Sequence, residues 1–372
     1  MPAVNDGGRY ASLNSGTSRD GVDAALVRFE ASGPVVEAAL CRPYPDELAA
    51  RLARVIEAGR RPAADEIPLL DEQLAIHFAA AAEELLSASG VSAKDVVAIG
   101  SHGQTVWHAP SGPQPETIQL GDPARIARLT GIRTVGDFRT ADIEAGGQGA
   151  PLAPLLHRAL FRPASGRRAI LNLGGIANVS LLDSDGGVKG YDTGPANCLL
   201  DAWIRRQRGE RYDDTGAWAA GGRVLEDLLQ SMLAEPWFAK SPPKSTGVEH
   251  FNLDWLARFL PATPTEARDV QATLAELSAA SAADAIRCAR AGEVLVCGGG
   301  VHNADLMQRL SQRLPGIPVE TTARHGLDPD WVEAVLFAWL ARERLENRAQ
   351  DTGPITGATR PVLLGAIHDP LR

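Results

Sequence analysis

The same plan occurs twice in this chain: three strands in succession, the first two joined by a turn crowded with glycine and small polar residues, then helices alternating with buried strands. In the first half the strands are expected at 9–14, 22–30 and 35–41, with the turn at Ser15-Gly16-Thr17-Ser18-Arg19-Asp20-Gly21-Val22-Asp23. In the second half they are expected at 168–173, 179–182 and 188–192, with the turn at Gly174-Gly175-Ile176-Ala177-Asn178. Glycines there permit positive φ and close approach of the backbone, and hydroxyl and N–H donors converge, which is what a phosphate needs. Asp20 and Asp23 stand where a phosphate-bound Mg²⁺ could be held. A ligand-free Asx or Ser-Gly hairpin turn accounts for either stretch alone. Recurrence of the plan favours a ligand.

Around these meanders, helical patterns are expected at 46–58, 65–89, from Asp122, and at about 196–207, 220–234, 271–291, 302–313 and 331–345. Buried strands are expected at 96–100, 117–120, 132–135 and 294–297. The alternation predicts an α/β class of protein with two domains, in keeping with 372 residues. The expected division is 1–140, completed by the C-terminal segment 350–372, and 141–349. Two such halves facing each other have the arrangement of the sugar kinase, Hsp70 and actin superfamily, a ribonuclease H-like fold with a deep interdomain cleft that closes on its ligands.

Composition narrows the function. The net charge of −9 and pI of about 5.5 leave no basic face for nucleic acid or an anionic membrane. The polar N-terminus lacks the basic and apolar regions of a signal peptide, and no apolar run is long enough to span a bilayer, so a cytoplasmic protein is expected. Cys41, Cys198, Cys288 and Cys297 form no C-x-x-C pair and read as reduced, mostly buried thiols. The P-loop motif, a strand-linked G-x-G-x-x-G, H-E-x-x-H and G-x-S-x-G are all absent, against P-loop kinases, NAD enzymes, zincins and α/β-hydrolases. D-T-G occurs at Asp192, Asp214 and Asp351, but a helix-rich chain with Pro after two of the three copies does not fit the all-β aspartic proteases.

Nine blocks in order carry a more specific likeness: Ser15 to Asp23 (SGTSRDGVD), Ile99 to His108 (IGSHGQTVWH), Val135 to Arg139 (VGDFR), Gly146 to Leu152 (GGQGAPL), Leu171 to Ser180 (LNLGGIANVS), Tyr191 to Asn197 (YDTGPAN), Pro243 to Gly247 (PKSTG), Asp269 to Glu276 (DVQATLAE) and Val296 to Asn303 (VCGGGVHN). Over almost its whole length the chain resembles the anhydro-N-acetylmuramic acid kinases. The resemblance implies a cytoplasmic, homodimeric enzyme of peptidoglycan recycling that uses ATP, Mg²⁺ and water to open an anhydro-amino sugar and phosphorylate its O6. It also implies Asp192 as the catalytic base toward water and Glu333 as a second carboxylate orienting water or sugar. A first-turn Glu complementing the helix dipole is the plainer reading of Glu333.

Nucleotide contacts are then expected from Gly16, Thr17, Ser18, Arg19, Asp20, Gly21, Val22 and Asp23 in the first turn and from Asn172, Gly174 and Gly175 in the second, with Asp20 on the metal. Gly298-Gly299-Gly300, closing a buried strand, and Asn303 read as the adenosine-side turn. Sugar contacts are expected from His102, Gln104 and Thr105, projecting beyond the 96–100 strand, and from Gln148 and Asn197. Arg139 is a candidate to grip the lactyl carboxylate or the transferring phosphate, against a surface salt bridge with Asp137 or Asp142.

Three positions depart from the family pattern. Ser12 and Asn14 replace Gly and Met in the run before the first turn, and each costs on the order of 1–3 kcal/mol if buried without a partner. Ala196 replaces a common Gly and would be strained at positive φ. Two other readings stand beside the anhydro-sugar kinase: an ordinary sugar hydroxyl kinase, told apart by whether water oxygen enters the anomeric position, and a non-catalytic nucleotide-gated scaffold, told apart by ATP turnover. The helices near Trp203 and Trp218 are candidates for a dimer surface.

Overall fold

A computed structural model of the chain describes residues 7–16, 21–261 and 263–370. The chain divides into two compact units, Met1–Leu156 with Trp331–Arg372, and His157–Asp330. Among the described residues the strands are β1 (Arg9–Ser15), β2 (Gly21–Glu30), β3 (Gly33–Pro43), β4 (Val96–Ala109), β5 (Glu116–Leu120), β6 (Thr134–Gly136), β7 (Arg167–Leu173), β8 (Ile176–Asp183), β9 (Val188–Pro195), β10 (Glu293–Cys297), β11 (Val319–Thr321) and β12 (Ala366–His368).

In the first unit the sheet runs β12-β6-β4-β1-β2-β3, with β5 paired to β4. β1 to β3 form an antiparallel meander, while β4 lies parallel to β1 and β6 parallel to β4. The second unit orders its sheet β11-β10-β7-β8-β9, again an antiparallel meander followed by two parallel strands. Leaving aside β5 and the late strand β12, which are additions to the first sheet, both units have the strand order 3-2-1-4-5. That is the ribonuclease H-like arrangement, and the α/β class read from the sequence is the class observed.

Alternation along β1 sends its side chains to two different layers. Ala11 and Leu13 join a fully buried cluster with Leu52, Leu74 and Phe78 from the helices Asp46–Glu57 and Ile67–Ser89. The opposite face meets the helix Val332–Leu345, whose residues from Ala334 to Ala341 are all buried. There the Arg342 guanidinium lies 5.0 Å from the centre of the Phe29 ring. Gly100 on β4 faces the same helix so closely that an added Cβ would sit 2.0 Å from the Phe337 carbonyl oxygen. The first sheet is closed late in the chain, where Ala366–His368 pairs antiparallel with β6.

The second sheet is covered by the helices Ala267–Cys288 and Ala304–Arg313, which share a core with β7, β8 and β10. These two helices are also joined by ion pairs. Arg309 lies 2.7 Å from both Glu276 and Asp305, and Arg313 pairs with Glu276. A second cluster gathers Leu199, Trp203, Trp237, Phe251 and Trp255 beside the helix Asn197–Arg208.

Several expectations are corrected. The strand expected at 96–100 continues to Ala109, because after an irregularity near Thr105 it pairs antiparallel with β5. The strand expected at 188–192 runs on to Pro195, and Gly194 allows this at φ +149°, where an added Cβ would lie 2.8 Å from Phe238 and 2.9 Å from Ser281. The helix expected at 220–234 is two, Ala217–Ala220 and Glu226–Leu233, parted by Gly221 and Gly222. Trp203 is a core residue whose indole donates to the Ala267 carbonyl at 2.8 Å, and Trp218 is half-buried against the same cluster. Of the four free cysteines only Cys297 is buried, because Cys41 lies on the outermost strand and Cys288 in a last helical turn. The units divide at 156/157 and 330/331, whereas the sequence reading divided them at 140/141 and 349/350; the first boundary falls inside the helix Ala153–Phe161, which had not been foreseen. Among the described residues no helix is long and apolar enough to cross a membrane.

Candidate active site

In the first unit, the site residues gather on β1, β4 and the segment after β6. Thr17, Ser18, Arg19 and Asp20, including the expected metal residue, lie outside the described residues. The flanks of their turn are fixed from both sides: the Ser15 hydroxyl donates to Gln104 Oε1 at 2.6 Å, and the Gln104 amide donates to the Thr105 carbonyl at 3.2 Å. Gln104 is therefore a clasp between β1 and β4. Thr105 accepts from Gln119 at 3.3 Å. All three residues expected beyond the strand, His102, Gln104 and Thr105, lie within β4. Val22 is a core residue, and Gly21 is required by β3, since a Cβ there would lie 2.4 Å from the Arg42 carbonyl oxygen.

His102 is buried, with its ring 4.6 Å from that of Phe337. Its Nε2 receives Arg139 Nε at 3.1 Å and Nη2 at 2.9 Å, and its Nδ1 is 3.0 Å from the Gly103 carbonyl oxygen. A guanidinium can only donate, so Nε2 is the bare nitrogen and Nδ1 carries the proton that it gives to Gly103. Burial, and then the Arg139 charge, hold His102 down at about 3. Burial brings Arg139 to about 10, with Glu333 opposing, so it remains a cation at neutral pH. The salt bridge to Asp137 or Asp142 that the sequence allowed is not made: Asp137 accepts from the Thr140 N–H, and Asp142 from the Gly149 N–H and the Thr356 hydroxyl. Glu333 occupies the first turn of its helix and is open to solvent, yet its carboxyl is pushed above the usual range, by the surrounding protein first and by Asp23 second. Gln148 is exposed on a loop whose backbone N–H donates to the Thr356 carbonyl at 3.1 Å.

In the second unit, Asp192 lies on β9 opposite Asn178. The segment 243–247 folds against it. The Asp192 N–H donates to the Lys244 carbonyl at 3.0 Å, the Thr246 N–H donates to Asp192 Oδ2 at 2.9 Å, and Ser245 adds a side-chain bond. Burial nevertheless prevails over these bonds and raises the Asp192 carboxyl above the ordinary aspartate range. Trp237 anchors the segment: its indole donates to the Ser245 carbonyl at 3.1 Å, and Lys244 Nζ lies 4.4 Å from the ring centre while donating to the Phe238 carbonyl.

The turn between β7 and β8 is shaped by the helix that follows β9. The carbonyls of Gly174 and Gly175 accept from the N–H groups of Ala196, Asn197 and Cys198, and the Asn197 amide donates to the Leu173 and Gly174 carbonyls at 3.0 and 2.9 Å. The N–H groups of Gly174 and Gly175 make no hydrogen bond among the described residues, and their Cα atoms have room around them. The three glycines after β10 have different reasons. Gly298 takes φ +82° with Asn172 Oδ1 2.3 Å from where a Cβ would be, and Gly300 abuts Leu173, whereas Gly299 is exposed with nothing within 4 Å. Asn303 caps the helix Ala304–Arg313 by accepting from the Leu306 N–H at 2.9 Å. Asn197 and Asn303, both expected to contact ligands, also hold the turn and the helix start around them.

Compared with known proteins, residues 8–370 match the family model described as anhydro-N-acetylmuramic acid kinase. The chain belongs to the anhydro-N-acetylmuramic acid kinase family. It is 50% identical over 364 residues to the anhydro-N-acetylmuramic acid kinase of Xanthomonas axonopodis pv. citri, covering 96% of this chain and 97% of that protein. It is 47% identical over 365 residues to the enzyme of that name from Xylella fastidiosa, covering 96% of each. Among solved structures, component A of the (R)-2-hydroxyglutaryl-CoA dehydratase of Acidaminococcus fermentans aligns with a TM-score of 0.49 at 12% identity, over 91% of this chain and 99% of that one. The chain is therefore an enzyme, a kinase of the phosphotransferase class.

Within this kinase the departures from the family pattern have different consequences. Ser12 is fully buried, and its hydroxyl has no hydrogen-bond partner among the described residues. Asn14 is buried as well. Ala196 sits at φ −120° in the apolar core, so the feared strain at positive φ does not arise. Sequence reasoning gave no role to Trp237, Lys244, Ser245 and Thr246, although Pro243 to Gly247 was one of the nine matching blocks.

Proposed function

We propose that this kinase uses ATP, Mg²⁺ and water to convert 1,6-anhydro-N-acetylmuramic acid to N-acetylmuramic acid 6-phosphate and ADP, in the cytoplasm, as a step of cell-wall recycling. The observation that carries the reading is Asp192: a carboxylate with one oxygen held by a backbone N–H and an affinity for protons above that of a free aspartate. A base of that kind accepts the proton of a water attacking the anomeric carbon. The C1–O6 bond breaks as the water oxygen bonds to C1, and O6 receives the phosphoryl group. Glu333, on the other unit, orients the water or the sugar.

ATP with Mg²⁺ supplies the phosphoryl group and neutralises its charge. The donor set fits a phosphate: the N–H groups of Gly174 and Gly175 have no acceptor among the described residues, and Gly299 offers open backbone. Asn172 stands beside these turns, and the residues proposed for the remaining phosphate contacts are Gly16 to Asp23, with Asp20 as the metal residue. Arg139, a cation bonded to a neutral imidazole, grips the lactyl carboxylate. His102, Gln104, Thr105, Gln148 and Asn197 contribute by shaping the sugar site.

The deciding experiment is turnover in ¹⁸O-labelled water. One label at the anomeric carbon of the phosphorylated product supports the reading. ADP formation with no label points to an ordinary hydroxyl kinase, and no sugar-dependent ADP formation overturns the enzymatic assignment.

A further inference from the structure

The bond between Arg139 and His102 is unusual in its direction. Arginine is normally held in place by a carboxylate, which also cancels its charge. Here the part-buried guanidinium is held by an imidazole nitrogen, through two N–H groups at 3.1 and 2.9 Å. Among the described residues its side chain has no other hydrogen bond, and Glu333 acts on it only through space. The imidazole is itself fixed three ways: by burial, by the Nδ1–H bond to Gly103, and by the Phe337 ring. Gly103 in turn lies at φ +73° where a Cβ would come 2.5 Å from the Leu120 carbonyl oxygen, so that its own carbonyl direction is set by β5.

We propose that His102 is a positioning residue, which holds the Arg139 guanidinium through a bare Nε2 and leaves the arginine's charge unspent for the lactyl carboxylate of the sugar. This rests on the reading of Arg139 as the carboxylate grip. A carboxylate in place of His102 would fix the arginine equally well, but would compete with the substrate for it. A neutral acceptor fixes the plane of the fork and keeps the field.

The test compares kcat/KM for the anhydro-muramic acid with that for 1,6-anhydro-N-acetylglucosamine, the same bicyclic sugar without the lactyl carboxylate. Arg139→Met should abolish the preference for the acid sugar; if the preference survives, the reading of Arg139 falls and this inference with it. His102→Phe keeps an aromatic ring on Phe337 and deletes the acceptor. It should cut the preference by about 10- to 100-fold, as expected for loss of hydrogen bonds to a charged group, chiefly by raising KM for the acid sugar. His102→Gln, which retains an acceptor, should restore most of it. If Arg139→Met removes the preference while His102→Phe leaves it intact, or slows both sugars equally, the inference alone is wrong. Combining His102→Phe with Arg139→Met should cost nothing beyond Arg139→Met, and a further loss would show that His102 acts on its own. The wild-type enzyme gives an independent readout: ¹⁵N NMR should show His102 protonated at Nδ1 and bare at Nε2, and the opposite tautomer would refute the arrangement.

Discussion

Asp192 is a side chain whose surroundings work against its charge, and that opposition fixes two measurable signs. Because burial raises its carboxyl above the aspartate range, kcat/KM should rise with pH through that raised value, since the base acts only when ionised. Between the unfolded and folded values the native protein holds the extra proton, so this group's contribution to stability falls as pH rises across that window. Asp192→Asn should therefore lose turnover by orders of magnitude in an ADP assay, yet melt no lower than wild type at neutral pH; near-normal turnover would remove Asp192 from the mechanism. Ser12 is a smaller case of the same conflict. Its fully buried hydroxyl has no partner among the described residues, so Ser12→Ala should raise stability by about 1 kcal/mol, read from denaturant melts. A loss of stability would mean that the hydroxyl is satisfied in solution.

At the level of elements, the helix Val332–Leu345 sets the tolerance of the first sheet. A methyl on Gly100 would collide with the backbone of Phe337, which cannot rotate aside as a side chain can, so Gly100→Ala should cost at least about 2–3 kcal/mol in equilibrium unfolding. A change below about 0.5 kcal/mol would show that the helix can retreat. Elements with a strong local period, such as the helices Asp46–Glu57 and Ile67–Ser89 and the meander strands, were legible in the sequence nearly to their ends. What escaped was decided by distant partners. β4 extends because β5 is there to pair with it, and no local signal distinguishes 101–109 from a loop. Pro243 to Gly247 was given no role beyond a matching block because it touches Asp192 through backbone groups, the Lys244 carbonyl and the Thr246 N–H, and backbone groups leave no trace in residue identity. Arg139 was singled out as a candidate anion grip, but its partner could not be guessed, since a histidine acting as acceptor toward arginine has no sequence signature.

For the whole molecule, the five strands common to both sheets, ordered 3-2-1-4-5 once β5 and β12 are set aside, make each unit a variation on one design. The residues proposed for the site are divided between the units: Asp192 and the Gly298 turn belong to the second, and Arg139, His102 and Glu333 to the first. If the glycine turns hold the triphosphate, Mg·ATP added to the inactive Asp192→Asn protein at about 100 times its Kd should stabilise it by about 2.7 kcal/mol, seen as a higher Tm. An unchanged Tm would count against the phosphate role of both turns. One further consequence follows from the way the first sheet is closed. β12 pairs with β6, and Thr356 reaches back to the fully buried Asp142, so the first unit is completed by residues that come after all of the second. During synthesis on the ribosome the second unit, being one uninterrupted stretch, has all its parts as soon as it emerges. The first must wait, with an open sheet edge beside β6, until Ala366–His368 has also been made.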